Sequence, residues 1–163
     1  MLQRAEEARS LEHADVVMEA HLTPTPRVRE GRVIARSHCA TAMIDLSDGL
    51  ASDLGHICER SEVGVLVRAG EVPISEAVRS VAEILERDPL SWALFGGEDY
   101  ELLFTVPPTK VEGVVGALQR EANLPATVIG EIVSMADGIK LLNEEGDLVP
   151  LPAEGWDHFS PHG

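Results

Sequence analysis

Residues 42–56 read AMIDLSDGLASDLGH, and this stretch decides the fold. Its first part lies in an apolar, compact run at 40–46 that predicts a buried strand. From 49 to 60 the pattern changes: Leu50, Leu54, Ile57 and Cys58 recur at helical spacing and predict a helix with those residues inward. Between the two sits a polar junction carrying Asp45, Ser47 and Asp48, with Asp53 one turn into the helix. Acids gathered at a strand end seldom serve a hydrophobic core, so the junction points to a metal or phosphate-transfer site. A second acidic cluster, Gly96-Gly97-Glu98-Asp99-Tyr100-Glu101, follows further along.

Outward from this junction, strands and helices alternate. Residues 2–20 have helical composition, and Pro24 and Pro26 must break that helix within 21–26. A short helix is expected at 27–36, a strand at 64–67, a helix at 75–85 with Ser75 as N-cap, and a short helix at 88–95. A strand at 100–106 stops at Pro107-Pro108. An amphipathic helix follows at 111–122, then strands at 127–133 and 138–142. The alternation implies an α/β (α+β) layered domain with a mixed sheet packed with helices, rather than a bundle or a sandwich.

The composition sets bounds on function. The chain has 163 residues, 44% hydrophobic and 25% charged, as in a globular protein of one domain. No apolar run approaches the roughly 20 residues that span a bilayer, and no signal peptide opens the sequence, so no membrane partner is expected. A formal charge of −15 argues against nucleic acid, whose phosphates must be met by clustered Lys and Arg. Cys39 and Cys58 lack CxxC spacing and are read as buried thiols, which fits a cytoplasmic protein.

Several readings stand side by side at the motifs. Strand alternation puts Asp45 and Ser47 on one side, and Gly49 lets the backbone pass closely by a ligand. Asp45, Ser47 and Asp48 together offer oxygen donors for Mg²⁺, while Ser47 or Asp48 could equally cap the next helix. Asp53 and His56, three apart, share a helix face: either a polar extension of the site or a surface pair. Gly96-Gly97 lacks the spacing of a P-loop and could simply form a tight turn. The crowded Glu98, Asp99 and Glu101 call for a cation, whether metal or substrate. Trp156 and Phe159 either plug the core or stack on a flat heterocycle. His13, His21, His38 and His162 show no ligand spacing.

Three segments, AMIDLSDGLASDLGHIC at 42–58, FGGEDYELLFTV at 95–106 and GWDHF at 155–159, closely resemble the C-terminal half of the thiamine-monophosphate kinase family. LTPTPRVREG at 22–31 and the residues at 129–132 look like that family too. It shares a superfamily with aminoimidazole ribonucleotide synthetase, whose C-terminal domain supplies the expected fold. The resemblance implies ATP- and Mg²⁺-dependent phosphorylation of thiamine monophosphate to thiamine diphosphate. By position it implies Asp45 and Asp48 as Mg²⁺ ligands, Ser47 as an ATP contact, and Glu98 and Trp156 as substrate contacts. No residue is nominated as a catalytic base. The family's N-terminal ATP-binding domain, through which its members largely dimerise, has no counterpart in residues 1–163. The chain is therefore expected to be a single domain, the separated C-terminal half of a two-domain kinase. The competing expectations are a sister ATP-dependent synthetase and a non-catalytic ligand-binding or assembly module.

Overall fold

The computed structural model describes residues 13–152. Its elements run α1 (Ala14–Leu22), α2 (Val28–Ser37), β1 (Ala42–Asp45), α3 (Leu50–Ser61), β2 (Val63–Arg68), α4 (Glu76–Ile84) and α5 (Pro89–Phe95). Then come β3 (Leu102–Thr105), α6 (Val111–Ala122), β4 (Gly130–Ser134), β5 (Ile139–Leu142) and β6 (Leu148–Pro150). β1 and β3 form a two-stranded antiparallel ribbon. The other four strands make a mixed sheet in the order β4-β2-β5-β6, in which β2 and β5 run parallel. The expected α/β layering with a mixed sheet and packed helices is what the chain adopts.

Local chemistry explains most boundaries. α1 stops at Leu22, ahead of Pro24, and the Thr23 N–H returns to the Glu19 carbonyl. Ser75 Oγ accepts from the Val78 N–H to open α4. The Asp88 carboxylate does the same for α5, accepting from Leu90 and Ser91, with Pro89 at the first helical position. In α3, Leu50, Ala51, Leu54, Ile57 and Cys58 are buried, against Val65 and Val67 of β2 and Leu94 of α5. Each large aliphatic side chain fully buried there contributes roughly 1.5–3 kcal/mol. A second, smaller core joins Val33 and Ile34 of α2 to Val114 and Leu118 of α6.

Three expectations change. β1 is not a buried strand: Ala42 and Ile44 are half-buried, while Met43, 44% exposed, and Asp45 face outward. Ala42 and Ile44 pack against the larger core, whereas on the opposite face it is β3, through Leu102 and Phe104, that meets the second core. β6 was not expected; its three residues are all exposed, and it is placed by a turn in which Asn143 Oδ1 accepts from the Asp147 N–H. Cys58 is buried but Cys39 only half-buried; both are free thiols. Among the described residues no helix is long and apolar enough to cross a membrane.

Candidate functional site

The ribbon carries the site. Asp45 stands opposite Leu102, and the pairing continues past both strand ends. The Leu46 N–H donates to the Glu101 carbonyl (2.9 Å), the Tyr100 N–H to the Leu46 carbonyl (2.8 Å), and the Glu98 N–H to the Ser47 carbonyl (2.9 Å). The two acidic segments, read separately in the sequence, are thus one seam of main-chain hydrogen bonds. Glycine makes the seam possible. A Cβ on Gly97 would stand 2.5 Å from the Ser47 carbonyl oxygen. Gly49, at φ +100°, would bring one within 2.9 Å of the Gly96 carbonyl oxygen. The close approach expected of Gly49 is therefore made to the chain itself. Glu98 and Tyr100 take left-handed φ values of 69° and 50°, a conformation that costs non-glycine residues roughly 1–2 kcal/mol each. The flanking seam bonds offset that strain.

The junction ahead of α3 is held by Asp53. Its side chain is 1% exposed, and Oδ2 accepts from the Ser47 N–H (3.0 Å) and the Asp48 N–H (3.2 Å). This overturns the reading of Asp53 as half of a surface pair. It also answers the capping alternative: the N-cap is Gly49 and makes no side-chain cap bond, so neither Ser47 nor Asp48 caps the helix. Because a residue inside the helix reaches back to the loop, Ser47 Oγ and the exposed Asp48 carboxylate are not consumed by capping. Asp48, Asp53 and His56 bring their donor atoms within 4.8 Å of one another, a set able to hold a metal ion. Asp45 is not a member of that set.

Asp45 instead lines an adjoining cavity of about 470 Å³, with Tyr100, Leu102, Pro24, Pro26, Arg27 and Val28. The cavity falls in the size range of small-molecule sites, roughly 300–1,000 Å³. Around it the chain supplies part of the cation that the crowded acids required. Arg27 grips Glu101 with two hydrogen bonds, from Nε to Oε2 at 2.9 Å and from Nη2 to Oε1 at 2.6 Å. The bond to Glu101 holds the guanidinium more firmly in its charged form. His21 Nε2 lies 3.4 Å from Glu98 Oε2, although its spacing in the sequence singled out no role. Asp99 keeps an open surface, yet neighbouring atoms crowd its carboxyl enough to raise its pKa. Desolvation is the largest cause; the Glu101 charge adds to it, and His21 opposes it.

Of the residues singled out in the sequence, Asp45, Ser47, Asp48 and Glu98 come together along the seam. Trp156, assigned to substrate contact, lies outside the described residues. His21 and Arg27 are the additions, and of the two readings offered for Asp53 and His56 the grouping with Asp48 favours the polar extension of the site. Arg27 had a signal in the PTPR run at 24–27, but its partner is 74 positions away.

The sequence profile of the family described as AIR synthase related protein, C-terminal domain, matches residues 1–139. The thiamine-monophosphate kinase of Escherichia coli strain K12 is 36% identical over 160 residues, 98% of this chain and 47% of that protein. The solved complex described as AaThiL complexed with AMPPCP and TMP superposes with a TM-score of 0.72 at 31% identity, covering 97% of this chain and 46% of that one. Thiamine-monophosphate kinase from Stenotrophomonas maltophilia K279a superposes with a TM-score of 0.71 at 39% identity, covering 86% and 42%. The chain spans about half the length of the curated relatives it matches.

Proposed function

This chain belongs to the family of AIR synthase related protein C-terminal domains, and from that premise we propose that it supplies one half of a thiamine-monophosphate kinase site. The reaction is transfer of the terminal phosphoryl group of ATP to the phosphate of thiamine monophosphate, giving thiamine diphosphate and ADP. Residues 1–163 form a single domain in this reading. An N-terminal ATP-binding domain supplies the other half, the complete enzyme is a homodimer, and it works in the cytoplasm.

The observation that carries the reading is the seam, which sets Asp45, Ser47 and Asp48 beside Glu98 at one end of the ribbon. The donor set also fits Mg²⁺. This cation prefers carboxylate oxygens and suits imidazole poorly. Asp48 and Asp53 would hold it, with Asp45 a further oxygen donor at the strand end, while His56 suits a phosphate oxygen. Bound there, Mg²⁺ would neutralise charge on the phosphate oxygens. Ser47 Oγ contacts the nucleotide, and Glu98 and Trp156 face the cationic, flat rings of the substrate. Transfer between aligned phosphates depends on position and charge compensation, so no general base is assigned.

Kinase assays with Mg²⁺-ATP and thiamine monophosphate test the reading. The chain alone should turn over little, and adding the N-terminal half of a thiamine-monophosphate kinase should restore turnover that Asp48→Asn removes. Full-rate turnover by the isolated chain would refute the half-site reading. Binding of thiamine monophosphate with no turnover after that addition would favour a non-catalytic module.

A further inference from the structure

The segment carrying Pro26 and Val28 borders two concavities. One is the cavity beside Asp45 and Tyr100. The other, of about 740 Å³, lies between α2 and α6 and carries Arg29, Arg32 and Arg36 from the first helix and Arg120 from the second. Positions 29, 32 and 36 recur at helical spacing, so all three arginines share one face of α2. Arg120 lies back along α6: its Nη1 is 2.9 Å from where a Cβ on Gly116 would stand, and the glycine leaves that space open.

Thirteen Lys and Arg serve the whole chain against 28 Asp and Glu, yet four of the thirteen line this one groove. Glu121 is the acid among the lining residues, so four guanidiniums against one carboxylate leave a surplus of three positive charges. Two arginines outside the groove are paired, Arg27 with Glu101 and Arg68 with Glu131. Among the described residues no ion pair involves the four arginines of the groove. Guanidiniums that outnumber the carboxylates of a shared groove repel one another, and their planar forks match phosphoryl oxygens. Pro26, Val28 and Val33 add an apolar wall. The volume is that of a small-molecule site. A nucleic-acid polymer fits poorly, because a chain of net charge −15 repels phosphates that extend beyond the groove.

We propose that the α2/α6 groove binds a diphosphoryl group, free or carried by a small organic ligand, without a divalent metal and apart from the Asp48–Asp53–His56 cluster. Calorimetric titration of the whole chain in EDTA, with inorganic pyrophosphate and with ADP as probes, tests this. Removing divalent metal separates the groove from any phosphate recruited by the carboxylates. Saturable 1:1 binding is expected, together with movement of the Gly116 amide resonance. Tighter binding of ADP than of pyrophosphate assigns the site to an organic diphosphate; equal binding assigns it to the inorganic one. Arg32→Gln combined with Arg36→Gln should weaken both by about 100-fold, the loss of two charge-assisted contacts. If that variant loses its helical circular dichroism, Arg32→Lys with Arg36→Lys is read instead; losing the planar forks should weaken binding several-fold. Absence of saturable binding in EDTA, binding unchanged by these substitutions, or citrate binding as tightly as pyrophosphate would each overturn the proposal.

Discussion

Asp53→Ala is the substitution that most directly probes how the acidic junction is built. It removes the acceptor for the Ser47 and Asp48 amides and leaves both donors in a half-buried loop. Hydrogen bonds to a charged group are worth roughly 1.5–3 kcal/mol each. Part of that sum is returned because a carboxylate no longer has to be kept from water at a site 1% exposed. The net loss should be about 2–4 kcal/mol, which for a domain of this size lowers Tm by about 5–15 °C. Asp53→Asn keeps an oxygen acceptor and loses only the charge, so it should cost about 1–2 kcal/mol. Urea or thermal unfolding without divalent metal measures both, free of any contribution from a bound ion. Native-state hydrogen exchange adds a local readout, with the Ser47 and Asp48 amides exchanging faster in the alanine variant. The reasoning is refuted if Asp53→Ala stays within about 0.5 kcal/mol of the parent, the range of ordinary surface substitutions, and those two amides keep their protection.

Three further outcomes concern the seam, an exposed helix glycine and the acids beside the seam. Gly97→Ala would set a Cβ 2.5 Å from the Ser47 carbonyl oxygen, and since main chain meets main chain the loss should be about 1–3 kcal/mol. Gly113→Ala, on exposed helix surface with nothing within 4 Å, should instead gain about 0.5–1 kcal/mol, and denaturant midpoints compare the two. Asp99 holds its proton more tightly folded than unfolded. Its contribution is thus fully present below the ordinary value of 3.8 and is lost as pH rises through the raised folded value. Asp99→Asn, neutral throughout, should gain stability relative to the parent with rising pH; a difference that is flat between acid and neutral pH would count against the crowding of this carboxyl.

Periodicity made α3 legible down to its buried face, because Leu50, Leu54, Ile57 and Cys58 repeat at the helical period and side-chain volume does the rest. Ser75 was equally plain as a helix start, since a cap acts within three residues of itself, while at 88–95 the helix was expected but its Asp88 cap was not named. Asp53 was less plain. Its spacing revealed a shared face with His56, but its burial depends on the Ser47–Asp48 loop folding back over it. His21 and Arg27 escaped for a related reason: their partners Glu98 and Glu101 are remote in sequence, and only the β1–β3 pairing brings that region into reach. β6 is too short and too exposed to leave an apolar pattern. The acids along the seam were visible because their chemistry is local, whereas the cations that meet them arrive through tertiary contact.

The seam joining residues 46–47 to 98–101 is made of main-chain amides and carbonyls. Such bonds do not read the side chains they carry. Within the seam the space at Gly97, the turn at Gly49 and the left-handed backbone at Glu98 and Tyr100 constrain residue type, so the side chains at positions 45, 47 and 48 are free to be rewritten while the frame stays in place. Scaffold and selectivity are here separable inheritances. One backbone frame can change the molecule it recognises without first having to learn a new way to fold.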